Sequence, residues 1–260
     1  MSGPIASALM RQPAGVRVSY VVLFLLLWEL VARFYADPLF VSPPSAVARA
    51  VVEILADGGV VRALQVALIE IVAAFALSLI VGVAAGLLIG LTRIGYHGFF
   101  KIVLVLYGIP KVTIFPLILL YFGLAAGTKI TFGFVHGVFP ILVAVVAGVQ
   151  NIDPLLLRAA ASMGAKRRHV FRWIVFPHLV PSLFTGMRLG MGGVLIGVIL
   201  AELYVSALGI GYYTTRFSQG FQPAKLFALV AVLALMAILL NELMRVAESR
   251  FSRWRLAGRE

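Results

Sequence analysis

The chain has 260 residues, 62% of them hydrophobic and only 12% charged, with a net charge of +12 and a mean hydropathy of +1.05. That composition excludes an ordinary soluble domain, and the absence of cysteine excludes disulfides, thiol chemistry and thiolate-ligated metals. The basic excess does not point to nucleic acid, because Lys and Arg gather at the ends of apolar runs and form no basic face interleaved with aromatics.

Hydropathy predicts about six spans, at roughly 20 apolar residues each: residues 18–35, 62–91, 101–123, 129–150, 178–204 and 225–245. The runs are continuously apolar rather than alternating, which favours helices over a barrel. The expected fold is therefore an all-α polytopic membrane protein, a single domain over residues 1–260. Arg11 and Arg17 before Val18–Leu27 have the outline of a signal peptide. No small-x-small cleavage site follows, and Trp28 and Glu29 extend the segment, so it reads as a retained span. Ser42-Pro-Pro-Ser45 then opens a short helix that ends near Asp57 and Gly58. Ala46, Val47, Ala50, Val51, Ile54 and Leu55 share one of its faces, with Arg49 and Glu53 on the other. Too short to span, it is expected to lie along the outer membrane surface, as a lid over the bundle or a contact for an external protein.

Span two carries Gly82, Gly86 and Gly90, and span five carries Gly186, Gly190, Gly193 and Gly197. Both are ridges of small residues where helix backbones approach closely, either as static packing or as sliding surfaces. Span three holds Lys111 between Pro110 and Pro116. Two prolines so close together should kink or unwind the helix. Irregular backbone at membrane depth is tolerated only against protein or a water-filled cavity. Lys111 then either lines a path, with Pro110 and Thr113 beside it, or pairs with an internal carboxylate or snorkels. Span five adds Arg188, which either reaches the interface by snorkelling or meets a carboxylate. Glu70 and Glu202 are the candidate partners for these two cations.

Between spans four and five lies a basic loop, residues 151–177. Asp153-Pro154 supplies an N-cap and a proline at the first helical position. A helix follows to the breaker Gly164, and Lys166 to Trp173 are predicted to form a second short helix before Pro177 starts the next span. A loop that folds in this way either presents itself to another protein in water or is an ordinary charged connection between spans.

Lys and Arg placement sets the orientation. With the N-terminus inside, fourteen cations fall on the cytoplasmic side (Arg11, Arg17, Arg93, Lys101, Arg158, Lys166, Arg167, Arg168, Arg172, Arg245, Arg250, Arg253, Arg255 and Arg259) and six outside (Arg33, Arg49, Arg62, Lys129, Arg216 and Lys225). Both termini and the 151–177 loop are expected in the cytoplasm. Enzyme chemistry finds no support. His97, His136, His169 and His178 lack metal-ligand spacing, and the chain has neither a phosphate-binding loop nor a nucleophile elbow.

Ala159, Ala160, Gly164, Ile174 and Pro177 fall at the spacing of the "EAA" signature of bacterial ABC-importer permeases. From about residue 38 to 245 the chain resembles the permeases of the sulfonate, taurine and nitrate importer group. Val41-Ser-Pro-Pro-Ser-Ala-Val47, Ile109 to Leu117, Leu120-Tyr-Phe-Gly123 and Leu208-Gly-Ile-Gly-Tyr212 carry the likeness further. Arg158 stands where the signature has Glu, a charge reversal. The resemblance implies a type I importer bundle whose coupling loop (Arg158, Ala159, Ala160, Gly164, Ala165, Lys166, Arg168, Ile174 and Pro177) docks into a cleft on an ATP-binding subunit. It implies a homodimer in the bacterial inner membrane, two ATP-binding subunits that hold ATP and magnesium, and a soluble substrate-binding protein. No cofactor is expected on this chain, nor nucleic acid as partner. The path candidates are Lys111, Pro110, Thr113, Arg188 and Glu202. The expected solute is a small anion such as a sulfonate, taurine or nitrate, the alternative being a heterocyclic vitamin precursor. A secondary transporter is the competing class, with no inverted repeat to support it.

Overall fold

The structure, a computed structural model, describes residues 14–205 and 209–252. Arg11, Leu208, Arg253, Arg255 and Arg259 of the sequence reading lie outside these residues. The described residues are helical: α1 Ala14–Phe34, α2 Pro44–Ala56, α3 Gly58–Leu91, a π turn Gly95–Phe99, α4 Phe100–Gly108, a 3-10 turn Lys111–Ile114, α5 Phe115–Phe122, α6 Ala126–Gln150, α7 Pro154–Ser162, α8 Arg167–Val170, a second π turn Phe171–Val175, α9 Phe176–Val205, α10 Ile210–Gln219 and α11 Pro223–Ser252.

Four helices are long and apolar enough to cross a membrane: α3, α6, the continuous run Arg167–Val205, and Pro223–Ser249 within α11. A fifth crossing is possible if the bent pair Gly95–Gly108 and Lys111–Phe122 counts as one. Length and composition thus mark four or five spans among the described residues, within the expected all-α polytopic fold. The segment expected as the first span is the helix α1, whose apolar run Val18–Leu27 is exposed. The fifth expected span also starts earlier than residue 178. In the second π turn the Phe176 N–H bonds to the Phe171 carbonyl, a register in which the missing N–H of Pro177 interrupts nothing. The helix therefore runs from Arg167 through Pro177, where a break was expected.

The chain forms two compact units. The first contains residues up to Val61 together with Tyr213–Leu233. In it, Pro44 sits at the start of α2 and the side chain of Pro43 offers no cap. Glu29 of α1 takes that role by accepting from the Ser45 N–H at 3.0 Å and the Ser45 hydroxyl at 2.7 Å, and Arg33 donates to it at 2.6 Å. Val47, Ala50 and Ile54 form the buried stripe of α2. Leu55, expected on that stripe, is exposed.

The second unit contains Arg62–Tyr212 and the chain from Ala234, and α6 is its axis. A Cβ added at Gly82, Gly86 or Gly90 of α3 would lie 2.9, 2.7 or 3.1 Å from Ile141, Val145 and Val149, one stripe of α6. On α9, a Cβ added at Gly186 or Gly190 would lie 2.6 or 2.7 Å from Ala144 and Ile141 of α6, and one at Gly193 would lie 2.5 Å from the His136 carbonyl. Both glycine ridges are thus seats for the same helix. The core around them is Ile71, Ile141, Val145, Leu179, Met191, Val194 and Val198, sealed by Met236 and Leu240 of α11.

Candidate functional site

Three features of the second unit bear on function: the 151–177 loop, the broken helix around Lys111, and a buried charge cluster. In the loop, Asp153 caps α7 by accepting from the Leu155 N–H at 2.8 Å, with Pro154 at the first position. The helix stops in a Schellman arrangement, in which the Ala165 N–H bonds to the Ala160 carbonyl and the Gly164 N–H to the Ala161 carbonyl, both at 3.0 Å. Gly164 occupies the left-handed position at φ +69°. Lys166 then begins α8 in extended conformation.

Arg158, Ala159, Gly164, Ala165, Lys166 and Arg168 are exposed, while Ala160, Ile174 and Pro177 are half-buried. Leu155, Leu156 and Leu157 stand out from the same short helix, Met163 is 85% exposed and Trp173 70%. None of Arg158, Lys166, Arg167, Arg168 or Arg172 has a carboxylate partner among the described residues. The loop therefore exposes large apolar side chains together with cations that lack a carboxylate partner among the described residues.

The break in the third expected span falls where the prolines predict it. α4 ends at Gly108, Ile109 and Pro110 are extended, and the chain turns by 86° before α5. The Pro110 carbonyl accepts both the Thr113 N–H at 3.1 Å and the Thr113 hydroxyl at 2.7 Å, which fastens the 3-10 turn to the break. Phe115 is thereby turned into a small core with Phe132, Ala201 and Val205. The Lys111 ammonium donates to the Tyr107 carbonyl at 3.0 Å. It lies 4.7 Å from the Tyr107 ring centre and 5.6 Å from that of Phe139, two rings stacked at 5.9 Å. This is a cation–π site and contains no carboxylate.

The carboxylates offered to Lys111 and Arg188 are engaged elsewhere. Lys129, assigned from sequence to the outer loop, lies inside α6 at 7% exposure. Its ammonium is 2.6 Å from Glu70 of α3 and 3.2 Å from Glu202 of α9. Those carboxylates are 3% and 1% exposed. The second oxygen of Glu202 accepts the N–H groups of Ile210 and Gly211 at 2.8 and 3.4 Å. A Cβ on Gly211 would collide with the Glu202 backbone, so a glycine there permits the approach. Arg188 pairs instead with Glu248 of α11 at 2.8 Å, both groups partly exposed. Neither Lys129 nor Glu248 was singled out as a partner from the sequence. The available signal was that two carboxylates in apolar helices demand a cation, and Lys129 lies near the start of α6 while Glu202 lies near the end of α9, positions that successive antiparallel spans bring together.

Residues 78–254 match the family described as binding-protein-dependent transport system inner membrane component. The chain belongs to that family. This permease is 27% identical to the taurine transport system permease protein TauC of Escherichia coli over 239 residues, covering 90% of this chain and 86% of the relative. It is 24% identical to the putative aliphatic sulfonates transport permease protein SsuC of Bacillus subtilis, covering 96% and 93%. Its fold is similar to that of a chain in an inward-facing structure of the MetNI methionine ABC transporter, with a TM-score of 0.64 and 19% identity over 75% of this chain and 97% of that one. The permease is thus an all-α, multi-pass inner-membrane subunit of a transport system, with the helical architecture of an ABC importer permease.

Proposed function

We propose that the permease, acting as one membrane domain over residues 1–260, pairs with a second copy and imports a small anion of the sulfonate, taurine or nitrate kind. Two ATP-binding subunits dock on the two 151–177 loops in the cytoplasm, where both termini also lie, and a soluble binding protein delivers the solute at the outer face. The observation that carries the reading is α7. It is short and capped at both ends, and it exposes Leu155, Leu156, Leu157 and Arg158, with the cations Lys166, Arg167 and Arg168 following just beyond it. A rigid helix of this kind transmits movement of a partner to the bundle. ATP shifts the bundle from inward to outward opening only by binding one arrangement of the ATPases more tightly, which is a population shift. Continuity of Arg167–Val205 supports the transmission, because the loop passes into α9 without a hinge at Pro177. The anionic solute is favoured by the relatives' names and by Lys111, whose ammonium has no carboxylate counter-ion among the described residues.

The test is reconstitution of the permease with its co-encoded ATPase and binding protein in proteoliposomes. ATP-dependent uptake of labelled taurine or an alkanesulfonate, absent without the binding protein, is the expected result. Purification with no associated ATPase, or uptake driven by an ion gradient alone, overturns the proposal.

A further inference from the structure

The Lys129 cluster holds two carboxylates and a single ammonium, buried to 93% or more on each residue. Glu202 is fully engaged, one oxygen by Lys129 and the other by two backbone N–H groups. Glu70 is not. One oxygen lies 2.6 Å from the Lys129 ammonium, yet both oxygens are buried and neither has a hydrogen-bond partner. The charged groups acting on Glu70 are Lys129 from α6 and Glu202 from α9. With both carboxylates ionised, the cluster would carry one uncompensated negative charge out of contact with water, at a large desolvation cost.

We propose that the cluster binds one proton, carried on Glu70, so that a neutral carboxylic acid sits beside a Lys129–Glu202 ion pair. The proton comes from water and adds to a Glu70 carboxylate oxygen, and no other bond changes. Charge then balances, since the ammonium neutralises Glu202 and nothing is left over. The division of labour follows the contacts. Three donors converge on Glu202, whereas no donor meets either Glu70 oxygen in hydrogen-bond geometry, and the proton is therefore placed on Glu70. The cluster joins α3, α6 and α9 to the first N–H groups of α10, so the proton belongs to the fastening of the helix bundle.

The test uses the purified full-length permease labelled with carboxyl-13C glutamate and read by infrared spectroscopy. A protonated-carboxyl stretch carrying the isotope shift is expected in the parent at neutral pH and absent in Glu70→Gln. Glu70→Gln, an uncharged mimic of the acid, should melt within about 3 °C of the parent, whereas Lys129→Met should melt roughly 10 °C lower. Absence of the labelled band in the parent overturns the proposal even if every variant fails to fold. Persistence of that band in a folded Glu70→Gln also overturns it, as does a Glu70→Gln loss equal to that of Lys129→Met. If the parent's melting temperature rises with sodium or potassium against N-methylglucamine, and Glu70→Gln abolishes the rise, a metal cation balances the cluster and the proton is excluded.

Discussion

At Gly164 the backbone stands at φ +69°, and an added Cβ would meet nothing within 4 Å. The constraint is therefore conformational, and an ordinary side chain costs about 1–2 kcal/mol there. Gly164→Leu is expected to loosen the α7 stop and to lower recovery of the ATPase with the permease, while Gly164→Asn, which tolerates the left-handed region, retains most of it. Co-purification yield decides between them, and equal yields would place the docking constraint elsewhere. Arg158→Glu restores the residue usual in the signature. If Arg158 meets an acidic site on its own partner, this change weakens the complex in the same assay. At Lys111 the ammonium rests on the Tyr107 carbonyl and two aromatic faces, so removing it leaves no carboxylate stranded. Lys111→Met should then leave dimer yield unchanged and reduce anion uptake severalfold. Unchanged uptake at normal yield would remove Lys111 from the path.

Among the elements, α6 is the most constrained, because α3 and α9 both seat glycines against it. Ile141 alone receives Gly82 from one side and Gly190 from the other, and its side chain is completely buried. A methyl added at Gly86 would lie 2.7 Å from Val145, far inside van der Waals contact, and overpacking of this kind costs about 1–3 kcal/mol. Gly86→Ala should therefore lower the melting temperature, and Gly86→Leu should abolish assembly. By contrast, Gly192→Ala, where a Cβ meets nothing within 4 Å, should be neutral. Thermal melts of the three variants in detergent would check the contrast, and equal melting for Gly86→Ala and Gly192→Ala would contradict the packing. The ridges themselves were visible as spacing in the sequence. That they face a common helix was not, since a small-residue stripe names no partner.

For the whole molecule, the Lys and Arg distribution motivates the proposed orientation with the 151–177 loop inside. Moving Lys129 into the buried cluster subtracts one cation from the outer side and leaves the asymmetry larger. Because the chain has no native cysteine, a single Cys at Ala165, an exposed position, reports topology directly. It should resist an impermeant thiol reagent in intact cells and react after lysis. Labelling in intact cells would reverse the orientation and remove the loop from any contact with cytoplasmic ATPases.

What the sequence determined by itself was set by interactions a few residues long. Apolar run length specified transmembrane helices, Asp153-Pro154 specified the start of α7, Gly164 its end, and Pro110 with Pro116 the break before α5. Each of these works through backbone geometry within one or two helical turns, which the order of residues fixes. Pro177 shows the limit of the same logic, because a π turn one residue earlier let the helix pass a proline expected to divide it. Charge pairing between helices was decided only by the tertiary structure. Lys129 and Glu202 are 73 residues apart, and their meeting depends on how far each helix is rotated about its axis and which neighbour it packs against. The same rotations gave Arg188 to Glu248 and left Lys111 with aromatic rings, because a buried charge is satisfied by whatever the packed backbones bring within about 4 Å, at any separation along the chain.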